Sequence, residues 1–192
     1  MTTYNPKNRL ALLASGNGTN VQNFINYFRI HYDITIALVV SDNPFAYALK
    51  RAEIAQIPHL VIDKNKWKDE EYVLGVFKEH GINFVVLAGY LSLIPPYFIK
   101  AYPKKIVNIH PALLPKYGGK GMYGMNVHKA VMASGDSKSG ISIHYVNEEY
   151  DQGRVIFQAA CKIFAEDTPE SLEKKVRKLE LLNYPRVVEG LM

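Results

Sequence analysis

Asn108-Ile109-His110-Pro111 sets an amide and an imidazole beside a proline, and Leu113-Leu114-Pro115 follows closely. Further along comes a second polar turn, Tyr150-Asp151-Gln152-Gly153. A neutral amide donates to a developing oxyanion. A histidine carries a proton near neutral pH. An aspartate arriving from another segment orients that histidine and favours its charged form. Asn108, His110 and Asp151 together point to acyl transfer, or to another reaction through a tetrahedral intermediate.

These side chains need a frame. Lys105-Ile106-Val107 reads as a short strand, which puts Asn108 and His110 on a loop at its carboxyl end, where α/β proteins place their chemistry. Upstream, Arg9 to Ala14 is an apolar run of the kind found in buried parallel strands. Val21, Phe24, Ile25 and Phe28 fall at helical spacing. Ile34 to Val40 predicts a second strand, and Pro44 opens a helix running through Ala55. His59 to Ile62 is a third strand, Trp67 to His80 a helix stopped by Gly81, and Asn83 to Ala88 a fourth strand. Ile106 to Ile109 is the fifth. Strand alternating with helix implies a parallel sheet of βαβ units.

Past Gly118 the rhythm changes. Val127 to Ser134 is a short helix. Ile141 to Val146 alternates like a half-buried strand, and Val155 to Ile163 can pair with it across the Asp151 turn, antiparallel. Thr168 caps a long final helix with Pro169 at its first position, and Leu172, Val176, Leu179 and Leu182 form its apolar stripe. The expected class is α/β: Rossmann-like, a mostly parallel sheet flanked by helices, with an antiparallel element in the C-terminal half.

The chain has 192 residues, enough for one well-buried core and one domain. An apolar fraction of 48% and a charged fraction of 21% are ordinary for a soluble globular protein. No apolar run is long enough to span a membrane, and Met1 to Arg9 lacks the apolar block of an export signal. Cys161 is the single cysteine, which excludes an intrachain disulfide and a cysteine-based zinc cluster; a buried strand position is expected for it. The setting expected by default is cytoplasmic. The net charge of +5 comes from scattered lysines, and the group around Lys174, Lys175 and Lys178 reads as a solvated helix face. Nucleic acid is not expected as a partner.

Two other loops invite ligands. In Ser15-Gly16-Asn17-Gly18-Thr19-Asn20, glycines permit a tight turn, and the following helix offers free N–H groups to an anion. The loop lacks the lysine of a Walker A motif, and a plain turn with a Thr or Asn cap explains it equally well. Tyr90-Leu91-Ser92-Leu93-Ile94 follows the fourth strand; it can line a pocket for a flat heterocycle or simply pack beneath the next helix. His31, His59 and His80 sit at element edges. His144 is either a satisfied strand histidine or a group behind the site. No His-x-x-x-His spacing is present, and no metal is expected.

From about Arg9 to Gly190 this layout resembles the folate-dependent formyltransferase family. Asn108-x-His110-Pro111 with Leu113-Leu114-Pro115 carries the broad resemblance, and Ser15 to Asn20 carries that to the glycinamide ribonucleotide branch. The resemblance implies a formyl group passed from 10-formyltetrahydrofolate, a co-substrate, to the amine of 5-phosphoribosylglycinamide, giving formylglycinamide ribonucleotide in purine synthesis. It implies Asn108, protonated His110 and Asp151 as the catalytic set, Asp151 raising the pKa of His110. Asn17, Gly18, Thr19, Asn20 and Glu180 would hold the ribonucleotide. Tyr90, Leu91, Ser92, Leu93 and Ile94, with Asn108, Val146, Asn147, Glu148 and Tyr150, would hold the folate.

The expected partners are therefore small molecules, with no membrane, and the expected assembly is a monomer or homodimer. One domain, 1–192, would divide into a phosphate-binding half, about 7–100, and a folate and catalytic half, about 101–192. Ser92 stands where the family often has a basic residue, and Leu181 where a histidine usually follows the glutamate. The stretch from Lys116 to Asn126 is longer and richer in glycine than usual, and suits a lid over the ligands or a flap against a partner. Two alternatives stand: a formyltetrahydrofolate hydrolase using the same three residues, and a non-enzymatic nucleotide-binding module that would need only the glycine loop.

Overall fold

A computed structural model describes residues 6–192. The first five residues of the stretch judged too polar for an export signal lie outside the described residues. The chain divides into compact units at residues 1–106 and 107–192.

In the first unit four strands run parallel in the order β3-β2-β1-β4. They are β1 (Asn8–Leu13), β2 (Ile34–Ser41), β3 (His59–Val61) and β4 (Phe84–Leu87). β1 is central, pairing with both β2 and β4, and Leu10 to Ala14 are wholly buried, as a continuous apolar run predicts. Helix α1 (Thr19–Phe28) buries Val21, Phe24 and Phe28.

Two helix starts differ from expectation. Helix α2 is Tyr47–Ile54 rather than beginning at Pro44, because Asn43 Oδ1 accepts from the Phe45 amide and holds a turn there. The stretch from Trp67 to His80 is not one helix. A 3₁₀ turn, Lys66–Lys68, stops at Asp69, whose side chain caps helix α3 (Glu70–Glu79) by accepting from Tyr72 N at 3.0 Å. Helix α4 (Pro96–Ala101) starts on Pro96 and packs Phe98 edge-on against Trp67 and Phe77.

Gly18, just before α1, has no room for a side chain. Its φ is +71°, and a Cβ there would lie 2.7 Å from Ala48 of α2. Gly18→Ala should therefore destabilise the first unit by about 1–3 kcal/mol, read by urea denaturation; an unchanged midpoint would mean that α2 shifts freely.

In the second unit β5 (Ile106–His110), β6 (Lys138–Tyr145) and β7 (Val155–Lys162) form an antiparallel array with β6 in the middle. β6 is buried from Ser139 to His144, whereas β7 alternates as an edge strand does. Cys161 consequently ends half-buried on β7, not in the core.

Helix α5 (Met125–Ser134) packs on α6 (Pro169–Glu189). Thr168 caps α6 as expected, in a capping box completed by Ser171. Its apolar face departs from the expected stripe: after Leu172 and Val176 it continues through Tyr184, Pro185 and Val188, while Leu182 is exposed. Among the described residues no helix is long and apolar enough to cross a membrane.

Candidate active site

Strand pairing brings the predicted catalytic residues together. Asn108 and His110 belong to β5 itself, not to a loop after it, and their separation of two residues puts both side chains on one face. Opposite them on β6, the register pairs Asn108 with His144 and His110 with Ser142. Directly opposed residues share a face, so four polar side chains gather on two adjacent strands.

Asp151, in a left-handed backbone conformation at φ 56°, completes the group from the turn between β6 and β7. Its Oδ2 lies 3.4 Å from His110 Nδ1 and accepts from the Gly119 amide at 2.9 Å. Its Oδ1 accepts from Asn108 Nδ2 at 3.4 Å and stands 3.5 Å from His144 Nε2. His144 lies within this network, in line with the second of the two readings open for it, a group behind the site. A carbonyl only accepts, so His144 Nδ1 donates to Tyr145 O at 2.9 Å, and its Nε2 faces the Asn108 amide at 3.2 Å.

His110 is 3% exposed. Its Nε2 is 2.7 Å from the main-chain oxygen of Tyr117, so Nε2 carries a proton. Burial pushes the imidazole below its ordinary pKa; Asp151 and the Tyr117 carbonyl pull it back up, and His144 adds to the lowering. Asp151 thus acts in the expected direction but is outweighed by burial. For Asp151 burial works upward, yet His144, His110 and the Gly119 amide hold its carboxyl below the usual range.

Ser142 braces the turn behind the histidine. Its hydroxyl donates to Ala112 O and accepts from Leu114 N and from Gln158 Nε2. Gly118 passes so close that a Cβ on it would meet Leu114 Cδ2 at 2.6 Å and Asp151 Cβ at 3.1 Å. Val146, Asn147, Glu148 and Tyr150 lie on the segment leading into the Asp151 turn, the last two exposed. Glu180 is half-buried on α6, where its charge, after burial, raises the pKa of buried Tyr184.

In the first unit, the Ser15–Asn20 loop and the segment after β4 lie side by side. Ser15 N donates to Gly89 O, and Ser15 Oγ accepts from Leu91 N at 3.0 Å. Thr19 and Asn20 are the first residues of α1, and the N-cap position falls to Gly18, with no side-chain cap. Arg51, which the sequence did not single out, braces the loop: Nε donates to Asn17 O at 2.8 Å and Nη2 to Asn17 Oδ1 at 3.2 Å. Tyr90 and Ile94 are buried, while Leu91 and Leu93 are half-exposed on either side of Ser92. Ser92 donates to Asp42 Oδ2 at 2.5 Å.

The profile described as "Formyl transferase" matches residues 8–188 of this chain, nearly all of it. The chain belongs to the formyl transferase family. Among members of this formyl transferase family, it is 41% identical over 96% of its length to the chloroplastic phosphoribosylglycinamide formyltransferase of Arabidopsis thaliana, of which it spans 65%. It is 35% identical to the Bacillus subtilis phosphoribosylglycinamide formyltransferase, over 96% of this chain and 94% of that one. The crystal structure of glycinamide ribonucleotide transformylase 1 from Geobacillus kaustophilus superposes with a TM-score of 0.88 at 35% identity, covering 96% of this chain and 98% of that one. The formyl transferase fold, α/β and Rossmann-like, is therefore the fold of this chain.

Proposed function

We propose that this chain transfers the formyl group of 10-formyltetrahydrofolate to the amine of 5-phosphoribosylglycinamide, a step of purine synthesis, in the cytoplasm. The observation that carries the reading is the convergence of Asn108, His110, Asp151 and His144 on β5 and β6, in a family member whose relatives bear that enzyme's name. The reaction joins the amine nitrogen to the formyl carbon and releases the folate nitrogen. The amine must lose a proton and the departing nitrogen must gain one.

Asp151 stands at Nδ1 of His110, so Nε2 is the edge left for chemistry. Its proton can be given to the oxyanion or to the departing nitrogen. The carboxylate offsets the positive charge of the ring whenever Nδ1 gains a proton. Asn108 supplies the second donor. Both its N–H groups point at His144 and Asp151, so one must turn toward the substrate as the charge develops.

The Ser15–Asn20 loop would hold the phosphate: it leads into the N-terminus of α1, where the N-cap residue, Gly18, supplies no side-chain cap. Half-exposed Leu91 and Leu93 offer apolar surface to the folate ring, which supports that assignment for Tyr90 to Ile94. With Asp42 bonded to it, Ser92 presents an acceptor-rich corner where the family often has a cation.

Folate turnover measured with and without the ribonucleotide tests the reading. Formyl release only when the ribonucleotide is present is expected; equal release without it would make the chain a hydrolase. Arg51→Ala should raise the KM for the ribonucleotide about tenfold and leave the folate KM alone, because two bonds from the guanidinium shape the phosphate loop. An unchanged ribonucleotide KM would separate the loop from phosphate binding.

A further inference from the structure

His110 Nε2, the nitrogen left for chemistry, is already occupied. The Tyr117 main-chain oxygen sits 2.7 Å from it, on a residue in the left-handed conformation at φ 59°. That is an uncommon backbone state for a bulky side chain, held only where its surroundings insist on it. Here the surroundings are explicit. The Tyr117 hydroxyl donates to Asp136 Oδ2 at 2.8 Å and lies 2.6 Å from Ser134 Oγ. Lys116 Nζ grips the same carboxylate at 2.9 and 3.1 Å, and Ser134 Oγ is itself fixed to Val131 O at 2.7 Å. The side chain of Tyr117 is thus tied to the end of α5 while its carbonyl reaches His110.

We propose that Tyr117 is a positioning residue for His110: its carbonyl caps Nε2 in the resting protein, and the tether of its hydroxyl to Ser134 and Asp136 sets how firmly the cap holds. The inference rests on the reading of His110 as the group that moves the proton. The substrate's oxyanion or departing nitrogen takes the place of the carbonyl, so the cap is exchanged in each turnover. Gly118 and Gly119 follow Tyr117, and the Gly119 amide holds Asp151. Release of the cap therefore loosens the carboxylate that orients the ring as well.

The titratable groups around His110 are Asp151 and His144, with His128 of α5 close enough to feel its charge. Lys116 and Asp136 lie at the tether. The carbonyl of Tyr117 favours the charged ring, so a looser carbonyl lowers the pKa of His110.

Tyr117→Phe keeps the main-chain oxygen and removes only the hydroxyl, and Asp136→Asn weakens the same tether from its other end. Two measurements on the whole protein decide. One is NMR of the His110 ring in the ligand-free state, for its titration and for exchange of the Nε2 proton. The other is the pH profile of kcat/KM with both substrates. In both variants, Nε2 exchange about tenfold faster and an alkaline limb displaced to lower pH are expected, with KM for either substrate unchanged.

A merely structural tether would change KM or stability and leave the His110 titration where it was, which would overturn the proposal. His110→Ala, assayed alongside, separates the layers. If it abolishes turnover while the two tether variants titrate like wild type, the tether is refuted and the catalytic histidine stands. If it retains turnover, the catalytic reading falls and the proposal falls with it.

Discussion

His110→Ala should lower turnover by about 10²–10⁴-fold, the usual contribution of a general acid–base group. The ring is 3% exposed and joins Asp151 to the Tyr117 carbonyl. Its removal takes away the proposed proton donor and leaves the Tyr117 main-chain oxygen without its partner, while Asp151 keeps the Gly119 amide. A stability loss of roughly 1–3 kcal/mol should accompany the change, from the unpaired carbonyl oxygen. The assay therefore needs a temperature well below the midpoint of thermal unfolding, with circular dichroism showing that the variant is folded. His110→Gln fills most of the space and still donates to Tyr117, so it should recover stability without recovering turnover. Near wild-type turnover in either folded variant would remove His110 from the mechanism.

Asp151→Asn should lower kcat by about 10²-fold or more with a smaller effect on KM. The replacement keeps the size of the group but removes the charge facing His110 Nδ1, and its amide meets the Asn108 and Gly119 donors that the carboxylate accepted. Asp151 raises the pKa of His110, so in the variant the alkaline limb of kcat/KM, where the proton donor is lost, should move to lower pH.

Stability should respond in the same direction. The folded pKa of Asp151 lies below its ordinary value, so its stabilisation is present above the unfolded pKa and is lost as pH falls through the folded one. His110 is depressed as well: the unfolded chain takes up its proton first, and stability falls as pH drops below the ordinary imidazole value. Acid denaturation should be shallower in the variant below the ordinary carboxylate range, where Asp151 no longer takes up a proton. A variant altered in KM alone would mean that Asp151 binds substrate instead of serving the histidine.

What was legible in the sequence was local. A continuous apolar run announced β1, Thr168 with Pro169 announced the start of α6, and polar residues at a strand end announced Asn108 and His110. Asp151 was found as a turn residue whose partner could be named only through a family resemblance.

The missed features depend on pairing between distant segments. His144 became central because the β5–β6 register sets it across from Asn108, and no window of sequence contains both. Tyr117 acts through its main-chain oxygen, which every residue possesses, so its type gave no signal. Arg51 was one of many scattered cations until α2 turned it onto Asn17. The expected Leu182 contact failed through drift: the buried positions in α6 recur every fourth residue from Leu172 to Val176 and again from Tyr184 to Val188, away from Leu182. Pro44 does not start a helix because the Asn43 turn competes with it locally.

The β5–β6 register carries one more consequence. Side chains alternate along a strand, so a slip of one residue between these two strands would turn Asn108 and His110 away from Ser142 and His144. If β6 is the strand that slips, buried Ile143 leaves the core side with it. Chemical competence and core burial are thus written in a single alignment. On the proposed reading of the site, a misregistered population should be inactive, and specific activity in a refolding mixture should count correctly aligned molecules. Loss of catalysis on heating should then track the separation of this strand pair and not precede it.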